Sequence, residues 1–378
     1  MIQANGICDD RFSAVKLAFE ENFKSHGDVG ASFSVFKDGE PLVGLWGGHI
    51  TEDRSEPWHE KTLVNVWSTT KGITATCFAM AVDRGALAYE DKVAEYWPEF
   101  GVAGKENVTV AMLLSHQAGL CGFRDPATLE DLLDIESAAT RLAAAEPFWT
   151  PGEQSGYHAL SMGALASSLL KRAEGRSVAQ FVEDELRQGL GLDIFIGLPD
   201  SEKSRVSDLI AASHTDSDEL VQMPTPPQIA AFANPPMEPI VANLTDWRKA
   251  EIPSANGHAT ANALAQLYSA LASDGKINGK TVVSEKTLKQ AIRPQIEGVD
   301  AVISMDVRWG CGFLLNADHL YGPNPESFGH SGWGGSFAFG DPMTGLGVAY
   351  TMNQTGTDIV ADPRSLALIQ AVYSSFDQ

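Results

Sequence analysis

The sequence predicts a two-lobed α/β (α+β) protein: an antiparallel sheet flanked by helices, with a mainly helical block inserted between the two stretches that build the sheet. Three observations carry this. Strand text occurs near the start, in "GASFSVFKDGEPLVGLWGGHI", and again near the end, in "WGCGFLL", "SFAFGDPMTG" and "LGVAYTMNQ". From Val82 to about residue 195 the text is helix and turn instead. The resulting order is helix, strands, helical block, strands, helix. Residues 1–82 and 247–378 are therefore assigned to a sheet domain and 83–246 to the inserted helical one, with a cleft between them as the natural place for a small-molecule site.

Taken in order, "DDRFSAVKLAFEENFKSHG" has apolar residues at 12, 15, 17, 18, 19 and 23, the spacing of an amphipathic helix. The next two β-rich runs meet at Asp38-Gly39, a dipeptide suited to a tight hairpin because both residues tolerate positive φ. "TLEDLLDIESAATRLAAA" and "LSMGALASSLLKRAEGRSVAQFVEDELRQGLG" read as helices. "MPTPPQIAAFANPPMEP" is proline-rich and irregular, a loop lying over the surface. "TANALAQLYSALASDG" restores a helix, turns are expected at Gly340-Asp341-Pro342 and Thr344-Gly345, and "PRSLALIQAVYSSF" closes as a helix.

Composition narrows the function. Apolar residues make up 44% of the 378, enough for a real core, and the formal charge is −22. That surface repels phosphate backbones and anionic lipid, so neither nucleic acid nor membrane is an expected partner. The four cysteines, Cys8, Cys77, Cys121 and Cys311, are far apart and form no CxxC pair; buried free thiols are expected. The start lacks a basic region followed by an apolar core, which points to a cytoplasmic protein. No HxxxH, HxH or Cys/His spacing suits zinc, and "HSGWGG" does not open a helix as a dinucleotide loop would, so no metal or cofactor is expected.

The stretch "NVWSTTKGITATCFAMA" supplies the first site candidate. Ser-x-x-Lys occurs five times, at Ser13, Ser34, Ser68, Ser168 and Ser273, so the pattern alone means little. Ser68 differs because the segment after it has almost no polar face, and a helix apolar on nearly all sides is buried on nearly all sides. Residues three apart share a helix face, so the Ser68 hydroxyl and the Lys71 amine can meet. Burial disfavours an ammonium, which makes Lys71 a credible proton acceptor. The alternative, that Ser68 only caps the helix while Lys71 reaches to solvent, stays open on this stretch alone.

Two further stretches break the tie. "PFWTPGEQSGYHALSMGALASSLL" places Tyr157 after a Pro-Gly turn and just before a helix; "ESFGHSGWGGSFAFGDPMTGLGVAYTMNQ" places His330-Ser331-Gly332 at the entrance to a strand. With Ser68–Lys71 this set resembles the serine β-lactamases, D-alanyl-D-alanine peptidases and family VIII carboxylesterases. Tyr157-His158-Ala159 looks like their Tyr-x-Asn element and His330-Ser331-Gly332 like their Lys-Thr-Gly strand; "VTVAMLLSHQAGL" and "IPSANGHATANALAQLYSALA" add lesser likenesses. Two departures stand out. Ala159 replaces an asparagine that contacts a substrate amide, and His330 replaces a lysine that attracts a carboxylate. Both are similar to the esterase branch.

The resemblance implies a β-lactamase/transpeptidase-like fold and a serine hydrolase that cleaves small esters. Ser68 would be the nucleophile, Lys71 and Tyr157 the base and acid in an order the sequence leaves open. The backbone N–H groups of Ser68 and Trp333 would form an oxyanion hole, and His330, Ser331 and Gly332 would contact substrate. β-Lactamase, D-amino-acid peptidase and acyltransferase activities are the alternatives, with an idle scaffold behind them. His116 and His158 are read as structural; Trp333, Phe148 and Trp149 are candidates to line an acyl pocket.

Overall fold

The computed structural model describes residues 2–212 and 223–376. Among these residues the main sheet has nine strands: β1 Asn5–Cys8, β2 Gly30–Lys37, β3 Glu40–Gly48, β4 Ile296–Val299, β5 Asp306–Trp309, β6 Leu314–Leu315, β7 Phe328–Ser331, β8 Phe337–Asp341 and β9 Leu346–Met352. In space they run β1-β3-β2-β9-β8-β7-β6-β5-β4, every neighbour antiparallel. The two ends of the chain join at β2–β9, in register from Leu346 opposite Lys37 to Met352 opposite Ala31.

The β2–β3 hairpin turns where the sequence places it. Asp38 and Gly39 both have positive φ, 51° and 82°, the twist that matches right-handed strands. The β8–β9 turn comes slightly later than expected, because Gly340 and Asp341 are still paired in β8. β1 was not foreseen: it is a short, mostly exposed edge strand without alternation.

Alternation along the strands separates two faces. Phe337 and Phe339 of β8, with Phe33 and Val348, join one apolar cluster with Phe19 of α1 (Ser13–Ser25) and Leu368 of α5 (Pro363–Ser374). Ala338 and Ala349 belong to the other cluster, beneath α4 (Ala261–Ala272). Small residues on that face let α4 approach closely: a Cβ on Gly347 would stand 2.1 Å from both the Ala265 carbonyl oxygen and the Ser269 nitrogen. Each large side chain buried on the opposite face contributes roughly 1.5–3 kcal/mol.

The helix after Ser68, α2 (Thr70–Asp83), is buried from Thr70 through Ala81, as its uniformly apolar text requires. It packs on α3 (Ser161–Glu174). The stretches read as single long helices are interrupted where local capping wins. Asp134 caps Ile135–Ala144 and so separates it from Leu129–Leu133. Gly175, at φ 95°, ends α3 before Ser177 caps the next helix. "MPTPPQIAAFANPPMEP" is not simply loop, since Pro226–Phe232 is a helix started by a Thr225–Gln228 capping box. Of the thiols, Cys77, Cys121 and Cys311 are buried, Cys8 only partly, and all four are free. Among the described residues no helix is long and apolar enough to cross a membrane.

Candidate active site

Ser68 lies in a short 3-10 turn, Trp67–Thr69, that runs directly into α2. The residue before it, Trp67, has φ +45°, a region that costs a bulky residue energy and persists only where the surroundings enforce it. The enforcement is visible: the indole is packed between Trp247 and Trp333, at ring centroid distances of 5.3 and 5.1 Å. The turn is pinned further by Asn65, whose amide oxygen accepts from the Trp67 N–H, and by Thr70, which donates to the Trp67 carbonyl. Sequence reasoning passed over Trp67, because nothing in its residue type announces a left-handed backbone.

Lys71 is wholly buried. Its Nζ sits 3.1 Å from Ser68 Oγ, 2.7 Å from the Ala159 carbonyl and 3.0 Å from the Ser254 carbonyl. No carboxylate appears in that set, and burial alone holds its pKa well below the usual lysine value. A neutral amine fits the geometry: two N–H groups serve the two carbonyls and the lone pair faces the serine hydroxyl.

Tyr157 comes to the same place from the segment before α3, its ring centroid 4.6 Å from the Lys71 nitrogen. Its hydroxyl is buried without a partner at hydrogen-bonding geometry among the described residues. Burial raises its pKa; the nearby Ser68 hydroxyl opposes the rise without reversing it. The ring stacks on Trp309, centroids 5.8 Å apart and nearly parallel. The backbone is held by a residue the sequence did not single out. Asp300 Oδ1 accepts from the N–H groups of Tyr157 at 2.8 Å, Val302 at 2.9 Å and Ile303 at 3.1 Å, while Oδ2 accepts from Trp309 Nε1 at 3.3 Å.

His330, Ser331 and Gly332 lie at the exit of β7 rather than at the entrance to a strand, because pairing with β8 ends at Ser331. His330 Nδ1–H donates to the Ser331 carbonyl at 2.8 Å, and burial, with Lys71 nearby, depresses its pKa to about 3. The Ser331 hydroxyl is engaged with Tyr321 at 3.0 Å. Gly332 has no room for a side chain, since a Cβ there would come within 2.3 Å of both the Val66 carbonyl and Ser336 Oγ. That contact draws the end of β7 against the Ser68 turn. The next residue, Trp333, has a backbone N–H that donates to no other group among the described residues.

His116 and His158 are held within the structure. His158 donates from Nδ1 to the Gly156 carbonyl and accepts the Leu120 N–H at Nε2; its own backbone N–H donates to His116 Nδ1.

A cavity of about 320 Å³ opens at Ser68, lined by Trp67, Tyr157, Phe232, Met237 and Trp333 among others. Phe148 and Trp149 do not reach it: Phe148 lies under the Arg124 guanidinium and Trp149 against His158. The segment read as surface loop does reach it, through Ala231, Phe232 and Met237. A second cavity of about 160 Å³ lies on the other side of Tyr157, against Trp309, Leu314 and His330. Among the described residues no group of three His, Cys, Asp or Glu side chains is placed to hold a metal ion.

A buried Ser-x-x-Lys pair beneath a tyrosine, beside the end of an antiparallel strand, defines a serine hydrolase of the β-lactamase/transpeptidase fold. The chain belongs to the Beta-lactamase family, whose model matches residues 17–371. It is 35% identical to "Esterase/beta-lactamase LipL" of Mycobacterium tuberculosis, over 94% of this chain and 84% of that protein. A solved family VIII carboxylesterase superposes with TM-score 0.94 at 42% identity, covering 98% of this chain and 99% of the other. A penicillin-binding protein homologue from Caulobacter crescentus superposes at 0.93, also 42% identical, over 98% and 99%.

Proposed function

We propose that this chain hydrolyses small carboxylic esters through an acyl-enzyme on Ser68. The observation that carries the reading is the environment of Lys71: an amine with two backbone acceptors, no carboxylate, and its remaining valence toward Ser68 Oγ. Burial drives Lys71 toward the neutral amine and Tyr157 toward the neutral phenol. Two titratable groups pushed apart in this way divide into a base and an acid.

Lys71 takes the Ser68 proton as Oγ attacks the ester carbonyl. The resulting oxyanion accepts hydrogen bonds from the N–H groups of Ser68 and Trp333, each such donor being worth about 2.7–4 kcal/mol of barrier. As the bond to the alcohol oxygen breaks, Tyr157 protonates the leaving alkoxide, and the Lys71 ammonium returns its proton to the phenolate. Water then attacks the acyl-enzyme by the reverse path, releasing acid and regenerating Ser68.

The β-lactamase reading is weaker on one observation: no lysine or arginine lines either cavity among the described residues, and His330 is neutral near pH 7. A substrate carboxylate finds no clamp there. Ser68→Ala should abolish turnover of p-nitrophenyl butyrate with an unchanged melting transition, and nitrocefin should be a far poorer substrate than the ester. Retained esterase activity in Ser68→Ala would exclude this mechanism.

A further inference from the structure

Two cavities meet at Tyr157. Ser68 and Trp333, which carry the oxyanion donors, line only the larger one; Trp309 and His330 line only the smaller; Tyr157 stands at the junction and lines both. An ester whose carbonyl oxygen sits between the Ser68 and Trp333 N–H groups keeps its acyl chain in the larger cavity. Its leaving oxygen, protonated at Tyr157, would direct the alcohol into the smaller one.

The polar groups of that smaller chamber are chiefly acceptors. With Nδ1–H given to the Ser331 carbonyl, the free position of His330 is the Nε2 lone pair, and that atom is buried with no partner among the described residues; the side chain is only 2% exposed. Asp306 and Asp318 stand at the rim, and among the described residues no cation lies within ion-pair distance of either. Arg308, on the same strand as Asp306, is turned to Glu297 at 3.6 Å and the Asn316 carbonyl at 3.2 Å. The Ser331 hydroxyl is tied to Tyr321. The rest of the lining, including Leu314, Leu320 and Val360, is apolar.

We propose that the chamber lined by Tyr157, Trp309 and His330 holds the alcohol half of the ester and selects an amino alcohol, whose protonated nitrogen donates to His330 Nε2 and faces Asp306 and Asp318. This rests on the esterase reading above. A lone-pair acceptor offered an N⁺–H group forms a charge-assisted hydrogen bond, about twice as strong as a neutral one, while a neutral alkyl group leaves the same nitrogen desolvated and unpaired.

The test compares 2-(dimethylamino)ethyl butyrate, protonated at pH 7, with 3-methylbutyl butyrate, which has the same shape and no charge. The kcat/KM ratio is divided by the ratio of the two alkaline hydrolysis rates, which removes the intrinsic reactivity of the esters. The corrected preference should be about tenfold for the amino ester, the scale of one charge-assisted hydrogen bond. It should fall toward one in His330→Leu and partway in the double variant Asp306→Asn/Asp318→Asn, whose exposed positions do not bear on folding. A corrected ratio near one, or a preference that survives in both variants, overturns the proposal. Absence of p-nitrophenyl butyrate turnover by the unaltered protein would instead remove the esterase reading itself.

Discussion

Asp300 offers the sharpest test of how the site is held. Replacing it with Asn keeps the shape but removes the charge. Its Oδ1 accepts three backbone N–H groups, from Tyr157, Val302 and Ile303. A hydrogen bond to a charged group is worth about 1.5–3 kcal/mol net and a neutral one about 0.5–1.5, so three weakened bonds lose roughly 3 kcal/mol. The new amide also turns an N–H toward Trp309 Nε1–H, now 3.3 Å from Oδ2, leaving a buried donor unpaired at roughly 1–3 kcal/mol. The terms are coupled, so about 4 kcal/mol is the expected total. Urea unfolding followed by circular dichroism measures it. Under conditions where the variant is fully folded, kcat for p-nitrophenyl butyrate should fall by about 10², the scale of a 1 Å misplacement of a catalytic group, with KM little changed. An Asp300→Asn protein with unchanged urea midpoint and kcat within about twofold of the parent would show that Tyr157 does not depend on this carboxylate.

Other consequences are independent of Asp300. Lys71→Ala should lower kcat/KM by at least about 10², measured with the same ester; a near-normal rate would leave Tyr157 or water as the base. Gly347→Ala should lose about 1–3 kcal/mol or more by overpacking against α4, read from the urea midpoint, with kcat preserved in the folded protein. Acid stability should reflect four buried histidines. Burial holds His116 well below the usual histidine value and depresses His158, His258 and His330 to about 4, 3 and 3, whereas the unfolded chain binds their protons near pH 6.5. The unfolded state therefore holds more of these protons below that pH; the histidine contribution to stability is full above about 6.5 and falls on acidification until the native values are passed. Between pH 5 and 6 the slope should correspond to uptake of at least about three protons on unfolding, and a flat unfolding free energy across that interval would contradict it.

Much of the fold is legible in local text because local signals and tertiary demands agree there. Asp38-Gly39 supplies the positive φ its hairpin needs, and the all-round apolarity of 72–82 requires burial. β8 and β9 declare their faces by alternating large and small residues. β1 escapes notice because an exposed edge strand has no apolar face to reveal it. The helix Pro226–Phe232 hides behind its prolines, which are compatible with a first helical turn. At the site, Ser68 and Lys71 stand out by spacing and burial, but Tyr157 and His330 are recognisable only through resemblance, since neither carries a local mark of chemistry. Asp300 and Trp67 are less visible still. One acts through backbone groups 143 residues away in the chain, the other through a dihedral angle that distant tryptophans impose. Phe148 and Trp149 mislead for a related reason: aromatic text near a turn does not say which side of the turn it faces.

The central claim is that Ser68 carries the acyl group and that Lys71 primes it. Peptide mass spectrometry of protein quenched in acid during turnover of p-nitrophenyl butyrate tests this most directly. One butyryl group should appear on the peptide containing Ser68, and should be strongly depleted at the same early quench time in Lys71→Ala. Butyrylation of any other residue, or undiminished Ser68 labelling without the lysine, would contradict the account.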